Sequence, residues 1–378
     1  MTIQQMLLGT ASGGESLFSF NDFTFTSPNE TPFAPSSTDI KNQSAYSTGA
    51  NATWVNDINF FQVILGIQYF TIPETGSYRI TAAGASAQLP GNGGGQTQPG
   101  THGRGAKMRG TFSLTSGTII GILVGQRNPL SYPGGGVQYG YPNWAGGAGG
   151  TFVVKLAGSS ASNTSHTLST TLPLLVAGGA SCSRNSTVTG CDGSMSCDGN
   201  IGTGNAPGYN GQKAVAYGHN VQGGSGACGW KAEVGANHGD TRSPISPIPS
   251  GYSGLTNPGV GARGFQTSSN PARGGIFLSN YAAPTNMSGG FGCGGPGGWG
   301  GQGGGGGYSG GANDGNNGHG GGGGSFIAST ASNAGTSNGI WSVGNGTFSG
   351  HSALASNNSL SSIGWHTSGN GFVYVEKL

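Results

Sequence analysis

The first candidates for chemistry in this chain are its five cysteines, because thiols bind metals and form disulfides. Three of them crowd the stretch from Ser181 to Gly199 with the spacing C-x8-C-x5-C. This spacing lacks the C-x2-C pairs of a zinc site, so we predict no metal centre. An odd number leaves at least one thiol without an intramolecular partner, and the spacing leaves the connectivity of any disulfides open. The candidates are Cys182, Cys191, Cys197, Cys228 and Cys293.

A second motif could supply a nucleophile. The run Gly307-Tyr308-Ser309-Gly310-Gly311 matches G-x-S-x-G, which exposes a reactive serine only on a sharp turn between a strand and a helix. Here the motif lies inside a glycine run with no helical pattern after it. The seven histidines lack the i, i+4 spacing of a metal site, and the 12 carboxylates show no pairing along the sequence. We therefore predict no catalytic residue, no cofactor and no enzymatic activity.

Aromatic residues in the Pro/Gly-rich loops form the most specific candidate for a binding site. Rigid Tyr and Trp rings on loops provide contact area at low entropic cost, and they suit sugar faces as well as protein grooves. The alternative interpretation is that these rings fill gaps between glycine segments and the sheets. The sequence leaves both open. The candidates are Tyr132, Tyr139, Tyr141, Trp144, Trp230 and Tyr252.

Charge and hydropathy exclude two classes of partner. The chain has 14 Lys and Arg against 12 Asp and Glu, a net charge of +2 with no basic run. Nucleic-acid binding needs clustered basic residues, so we predict none. The most apolar run, from Phe60 to Ile67, is far shorter than the roughly 20 residues of a membrane span. The N-terminal sequence also lacks the pattern of a secretory signal, so we predict no membrane insertion and no signal peptide.

The stretch from Gly289 to Gly324 is the most unusual part of the sequence, because 23 of its 36 residues are glycine. We expect the rest of the chain to be organised around it. Glycine loses more backbone entropy on ordering than any other residue, so such a run is either disordered or held by backbone hydrogen bonds between closely packed segments. Charged residues are only 7% of the chain and aromatic residues punctuate the run, which favours order. The predicted scaffold glycines are Gly303, Gly304, Gly305, Gly306, Gly307, Gly321, Gly322, Gly323 and Gly324.

Alternating apolar residues and turn signals predict a mainly β chain with four parts. Strand, turn and strand are predicted within Tyr69–Ile80, and a strand pair at Ala106–Leu114 and Thr118–Gly125. Further strands are predicted at Thr151–Leu156, Leu172–Ala177 and Gly371–Glu376, and no convincing helical period is found. The parts are an N-terminal attachment region with a small β region (1–60), a β-sandwich with the first glycine insertions (61–180), a Cys- and Pro-containing insertion (181–288), and a glycine-rich bundle with a closing strand (289–378).

The order of several motifs resembles the glycine-rich extracellular domain of the anaplastic lymphoma kinase and leukocyte tyrosine kinase receptors. The matching pieces include TIPETGSYRI, GRGAKMRGTFSLTSGTIIGILVGQ, GGAGGTFVV, PLLVAGGASC, GGFGCGGPGGWGGQGGGGGYSGG and GNGFVYV, over roughly residues 69–378. The resemblance implies a jelly-roll-like β-sandwich with an inserted bundle of polyglycine II helices, and a binding role. A comparable polyglycine bundle occurs in adhesins at the tips of some phage tail fibres. The insertion between Cys182 and Met287 departs from the pattern, and no kinase domain follows.

The first residues, MTIQQMLLG, resemble the start of tail-fibre-like virion proteins of cyanobacterial phages. We therefore expect a non-enzymatic virion structural protein, a bacteriophage tail fibre or fibre-tip adhesin. Its N-terminal region would bind other virion proteins or copies of itself, and its loops a host cell-surface glycan or protein. The expected location is the virion surface. The main alternative is a self-assembling subunit of a capsid decoration, sheath or filament with no host receptor, and a surface hydrolase is a third class.

Overall fold

A computed structural model gives the fold of most of the chain. It describes residues 16–48, 51–88, 101–129, 145–156, 171–183, 190–202, 208, 214, 226–230, 262–266, 271–275, 288–297, 301–313, 319–332, 365–366 and 369–378. The N-terminal motif 1–9 and the proline-rich stretch 243–249 lie outside these residues.

The protein is mainly β, with strands arranged in antiparallel sheets. A five-stranded sheet has the order β1-β13-β4-β6-β12, a six-stranded sheet has the order β11-β9-β8-β7-β3-β2, and β5 pairs with β10. The strands are β1 (Asp22–Phe25), β2 (Phe61–Ile64), β3 (Ile67–Thr71), β4 (Gly76–Ala83), β5 (Thr101–His102), β6 (Gly105–Leu114), β7 (Ile119–Leu123), β8 (Thr151–Lys155), β9 (Leu172–Ala177), β10 (Cys182–Ser183), β11 (Phe326–Ile327), β12 (Trp365–His366) and β13 (Phe372–Lys377).

The described part of the N-terminal region, residues 16–48 and 51–60, belongs to the main fold rather than to a separate unit, so the structure draws no boundary at residue 60. Strand β1 pairs with β13 from Asp22↔Glu376 to Phe25↔Val373, and its phenylalanines join the main core. Its described residues also include three short helices that no periodic pattern could reveal, because each has only four or five residues. They are α1 (Ser37–Lys41), which begins with a capping box formed by Ser36 and Asp39, α2 (Ser44–Ser47) and α3 (Asn51–Val55).

The predicted strand pair at 106–114 and 118–125 forms as two strands, but the prediction that they pair with each other is wrong. Strand β6 pairs with β4, and β7 pairs with β3 in the other sheet. The chain therefore crosses between the sheets at 72–75 and again at 115–118, and Ile72 N–H donates to Thr118 O at 2.8 Å between these two crossings. The turn residues correctly marked where each strand ends but could not specify which sheet receives the next strand.

The two sheets pack against each other, and the six-stranded sheet is buried on both faces. One face joins the five-stranded sheet in a core that includes Phe70, Tyr78 and Met108. The opposite face, which includes Tyr69, Phe152 and other residues, packs against segments of the 181–288 insertion. This burial explains why β3 and β7 are buried at every position, and why β7 and the centre of β8 (Phe152 to Val154) are apolar without alternation.

Glycine segments continue directly from the strands and pack without side chains between them. Gly179 N–H donates to Gly306 O (2.7 Å), Gly305 N–H to Gly321 O (2.9 Å) and Gly323 N–H to Gly179 O (2.9 Å). A Cβ on Gly323 would collide with the carbonyl of Gly306. We call this region the glycine core, comprising residues 145–150, 178–181, 288–297, 301–313 and 319–325.

Within the described residues, no helix is long and apolar enough to cross a membrane.

Candidate binding face

The points where the chain enters and leaves several connecting segments lie together at one end of the molecule. Strand β5, which follows segment 89–100, pairs with β10, which precedes segment 184–189. Ser183 forms an antiparallel bridge with His319, the residue that follows segment 314–318. Strand β12, which follows segment 333–364, pairs with Gly105 and Ala106. We call this end the loop face.

The aromatic-rich segment 130–144 begins and ends at the same face. Before it, the Asn128 side chain bonds to Gln88: Gln88 N–H donates to Asn128 Oδ1 (2.9 Å) and Asn128 Nδ2 donates to Gln88 O (2.7 Å). After it, Ala145 packs in a small buried cluster with Ala85, Ala87 and Cys182. The residues that flank this segment are therefore held against the residues that precede segment 89–100.

A polar junction of Glu30, Gln88, Arg127, Asn128 and Asn370 holds these flanking residues. Glu30 Oε2 accepts from Gln88 Nε2 (2.9 Å), and Glu30 Oε1 lies 3.7 Å from the guanidinium of Arg127. Gln88 Nε2 also donates to Asn128 O (2.6 Å). Glu30 and Arg127 are partly exposed, whereas Gln88 and Asn128 are buried. The junction therefore extends from the surface into the interior.

Asn370 connects the junction to the N-terminal region. Its Nδ2 donates to Ser27 O and to Asn29 O, both at 2.8 Å, and its Oδ1 accepts from Arg127 N–H at 2.8 Å. Its main-chain carbonyl lies 2.8 Å from His366 Nε2. Asn370 lies just before β13. Its side chain is thus hydrogen-bonded both to the backbone that follows β7 and to the backbone that follows β1.

Three buried polar atoms near the junction have no hydrogen-bond partner: Gln88 Oε1, Arg127 Nε and His366 Nδ1. The bond to Asn370 O requires a proton on His366 Nε2, so Nδ1 is an acceptor.

Burial sets the charges around these atoms. It lowers the pKa of His366 to about 4, and the nearby Lys107 and Arg127 act in the same direction, against the bond to Asn370 O. Burial likewise lowers the pKa of Lys107 to about 8. It also lowers the pKa of Arg127, opposed by the Glu30 carboxylate. At neutral pH His366 is therefore an uncharged hydrogen-bonding group.

Among the described residues, no group of three or more His, Cys, Asp and Glu side chains could hold a metal ion. The serine of the G-x-S-x-G motif, Ser309, is buried in the glycine core, and the described residues that follow it, 310–313, form no helix. The geometry required of a nucleophile elbow is absent from this stretch.

The aromatic binding candidates divide into two groups. Tyr132, Tyr139, Tyr141, Trp144 and Tyr252 lie outside the described residues and stay predictions. Trp230 is only 5% exposed and stacks on Phe265 at 4.8 Å, with Phe152 of β8 on the same stack. Its ring fills space between the six-stranded sheet and the insertion, so assigning it to a binding surface is corrected to the packing role.

The scaffold glycines and the cysteines are all described. Gly303–Gly307 and Gly321–Gly324 are buried within the glycine core. The five cysteines are present as thiols, so the structure contains no disulfide among them; Cys197 is partly exposed and the other four are buried. The polar junction was missed by sequence reasoning, because its residues are scattered from position 30 to 370 and belong to no motif.

No model of a known protein family matches this chain, and no curated protein sequence matches it either.

Proposed function

We propose that this protein is a non-enzymatic adhesin of a virion, a tail-fibre or fibre-tip protein that binds a host-surface glycan or protein through segments on the loop face. One observation carries the proposal. The residues that flank several connecting segments lie together at one end of the molecule, and backbone hydrogen bonds hold them there. Loops on a rigid scaffold are the usual location of recognition, because their sequences can change without disturbing the scaffold.

The proposed scaffold combines a jelly-roll-like sandwich with a bundle of polyglycine II helices. The two facing antiparallel sheets support the first part. Glycine segments whose backbones bond to neighbours on several sides support the second, since Gly179 donates to Gly306 and accepts from Gly323. Such packing leaves no space for side chains, so the loop face would be supported by a stiff base.

The proposed ligand class follows from the groups at this face. Tyr132, Tyr139, Tyr141 and Trp144 lie in the segment between Asn128 and Ala145, whose two ends are fixed at the loop face. Amide, carboxylate and guanidinium groups stand directly before that segment. Aromatic rings beside such polar groups suit the apolar face and hydroxyls of a sugar, or a polar protein surface.

The proposal is tested by measuring cell binding of labelled protein in which residues 130–144 are replaced by a Gly-Ser linker of equal length. The matched control replaces residues 157–170, which join β8 to β9 at Lys155↔Leu172, the end of these strands far from the glycine core. Flow cytometry on a panel of aquatic cyanobacteria should show binding by the wild type and the control and its loss in the first variant. Unlabelled wild-type protein should block phage infection of the strains that bind.

Two outcomes would contradict the proposal. Equal binding by both variants would contradict the proposed role of segment 130–144, the aromatic-rich part of the loop face, in recognition. Assembly of the purified protein into ordered filaments, with no binding to any strain, would favour the self-assembling structural role instead.

A further inference from the structure

Two of the buried cysteines are neighbours across the insertion. Cys228 N–H donates to Cys293 O at 3.1 Å, so the two cysteines are adjacent where segments 226–230 and 288–297 meet. A disulfide needs two cysteines whose backbones are close neighbours, with Cα atoms about 4.4–6.8 Å apart. Cys293 Sγ lies 3.9 Å from the carbonyl of Gly229, the residue after Cys228, and both thiols belong to one apolar cluster. The direct hydrogen bond between the two backbones and the shared cluster of the two side chains therefore make these cysteines candidates for a cross-link.

The backbone at Cys293 gives an independent indication. Its φ is +74°, in the left-handed region, and the preceding residue is glycine with φ +105°. Glycine adopts such angles without strain, whereas a residue with a Cβ does not. A side chain is thus present, at a conformational cost, at a position flanked by glycines on both sides. Unlike glycine, a cysteine at this position can form a covalent bond or make apolar contacts.

A second pair lies at the loop face. Ser181 N–H donates to Cys191 O at 2.7 Å, which holds Cys191 beside the residue preceding Cys182. Both cysteines are buried, and the charged form of the Cys191 thiol acts on the pKa of Cys182. The thiol of Cys197 lies instead beside Asp198 and Tyr308.

We propose that the protein carries two disulfides when it folds under oxidising conditions, Cys182–Cys191 and Cys228–Cys293, and that Cys197 remains a thiol. In each pair, two thiols lose two protons and two electrons to a small-molecule disulfide such as oxidised glutathione, which is reduced to two thiols. The second link would fix the insertion to the glycine core by joining residues on either side of segment 231–261.

The physical state of the thiols determines when the reaction occurs. Burial raises the pKa of Cys182 and of Cys293, so few thiolates exist in the folded reduced protein at neutral pH. The thiolate is the attacking species, and the oxidant must also reach it. We therefore expect the disulfides to form during folding and the folded reduced protein to oxidise slowly.

The test refolds the full chain from denaturant with reduced and oxidised glutathione, alkylates the remaining thiols in denaturant, digests without reduction and maps linked peptides by mass spectrometry. The expected products are two linked peptides, 182 with 191 and 228 with 293, and alkylated Cys197. The oxidised protein should also have a higher thermal midpoint than the same protein after reduction, because the link constrains the unfolded chain.

Two variants sharpen the test. Cys197→Ser should leave both links unchanged, and Cys293→Ser should retain only the 182–191 link and expose Cys228 to alkylation. Linked peptides that contain Cys197, a different pairing, or complete alkylation of all five cysteines in the oxidised wild type would overturn the proposal.

Discussion

The sandwich and the glycine core belong to one chain but are stabilised by different groups. In the sandwich, large side chains such as Phe70 and Tyr78 fill the space between the sheets. In the glycine core, backbone amides bond directly to backbone carbonyls, and the absence of side chains allows that approach. The sandwich should therefore be sensitive to losing side-chain atoms, whereas the glycine core should be sensitive to gaining them.

The comparison predicts its largest effect for a single added methyl group in the glycine core. In Gly323→Ala, the new Cβ would overlap the backbone of Gly306, and two hydrogen-bonded segments would have to separate. We expect a loss of more than about 4 kcal/mol in the free energy of unfolding. Gly76→Ala is the matched control, because its Cβ would meet only the end of the Lys377 side chain at 4.0 Å. Denaturant titrations that give equal losses for both would contradict the close packing.

The converse substitution tests the sandwich. Phe70 is fully buried and contacts the rings of Phe18, Phe20, Phe25 and Trp54. Phe70→Ala removes these contacts and leaves a cavity, so we expect the free energy of unfolding to fall by about 3–4 kcal/mol. Leu172→Ala, at a side chain that is 62% exposed, should change it by less than about 0.5 kcal/mol. A small effect of Phe70→Ala would show that the glycine core alone maintains the fold.

A pH titration examines the polar junction, where neither side-chain packing nor glycine packing dominates. His366 has its pKa lowered to about 4 in the folded protein, against about 6.5 when unfolded. The unfolded state therefore binds the proton first, so stability is retained above pH ~6.5 and falls as the pH decreases to ~4, by up to about 3 kcal/mol. His366→Gln keeps a donor but does not titrate, so the difference between variant and wild type should shrink as the pH falls. A constant difference would contradict the burial of a neutral imidazole.

Asn370→Asp gives a smaller effect at the same junction. A carboxylate would face the carbonyls of Ser27 and Asn29, which now accept hydrogen bonds from the amide. We expect a loss of about 2 kcal/mol in stability at neutral pH. The repulsion raises the pKa of the new carboxyl above the ordinary value of about 3.9, so protonation should restore stability as the pH falls towards ~4, which thermal melts across this range can follow. Equal melting of variant and wild type at neutral pH would show that this amide does not fix the N-terminal region.

Sequence patterns predicted the strands well where apolar residues and turn residues coincide. The strands at 151–156, 172–177 and 371–376 are confirmed as β8, β9 and β13, with end positions within about one residue. The sheet assignment of β6 and β7 could not be predicted, because both crossings use the same turn chemistry as a hairpin. Strand β1 joins the five-stranded sheet by pairing with β13, as in Asp22↔Glu376. These strands lie at opposite ends of the sequence, and no local pattern predicts such a pairing.

The candidate site was predictable only in part. Aromatic loop residues stand out in the sequence, but Trp230 shows that a ring in a glycine-rich segment can serve packing. Gln88 and Asn370 are ordinary polar residues, and only the folded arrangement gives each several partners. Such scattered hydrogen-bonded groups leave no periodic signal in a single sequence.

Hydrogen exchange of the glycine amides tests the central claim most directly. Gly305, Gly306 and Gly323 all donate to backbone carbonyls inside the glycine core. Their amide protons should exchange as slowly as those of β4 and β6 in the native wild-type protein, because exchange requires opening of the packed segments. Exchange at the rate of a random coil in residues 303–307 and 320–324, while the strands stay protected, would contradict the backbone-held core.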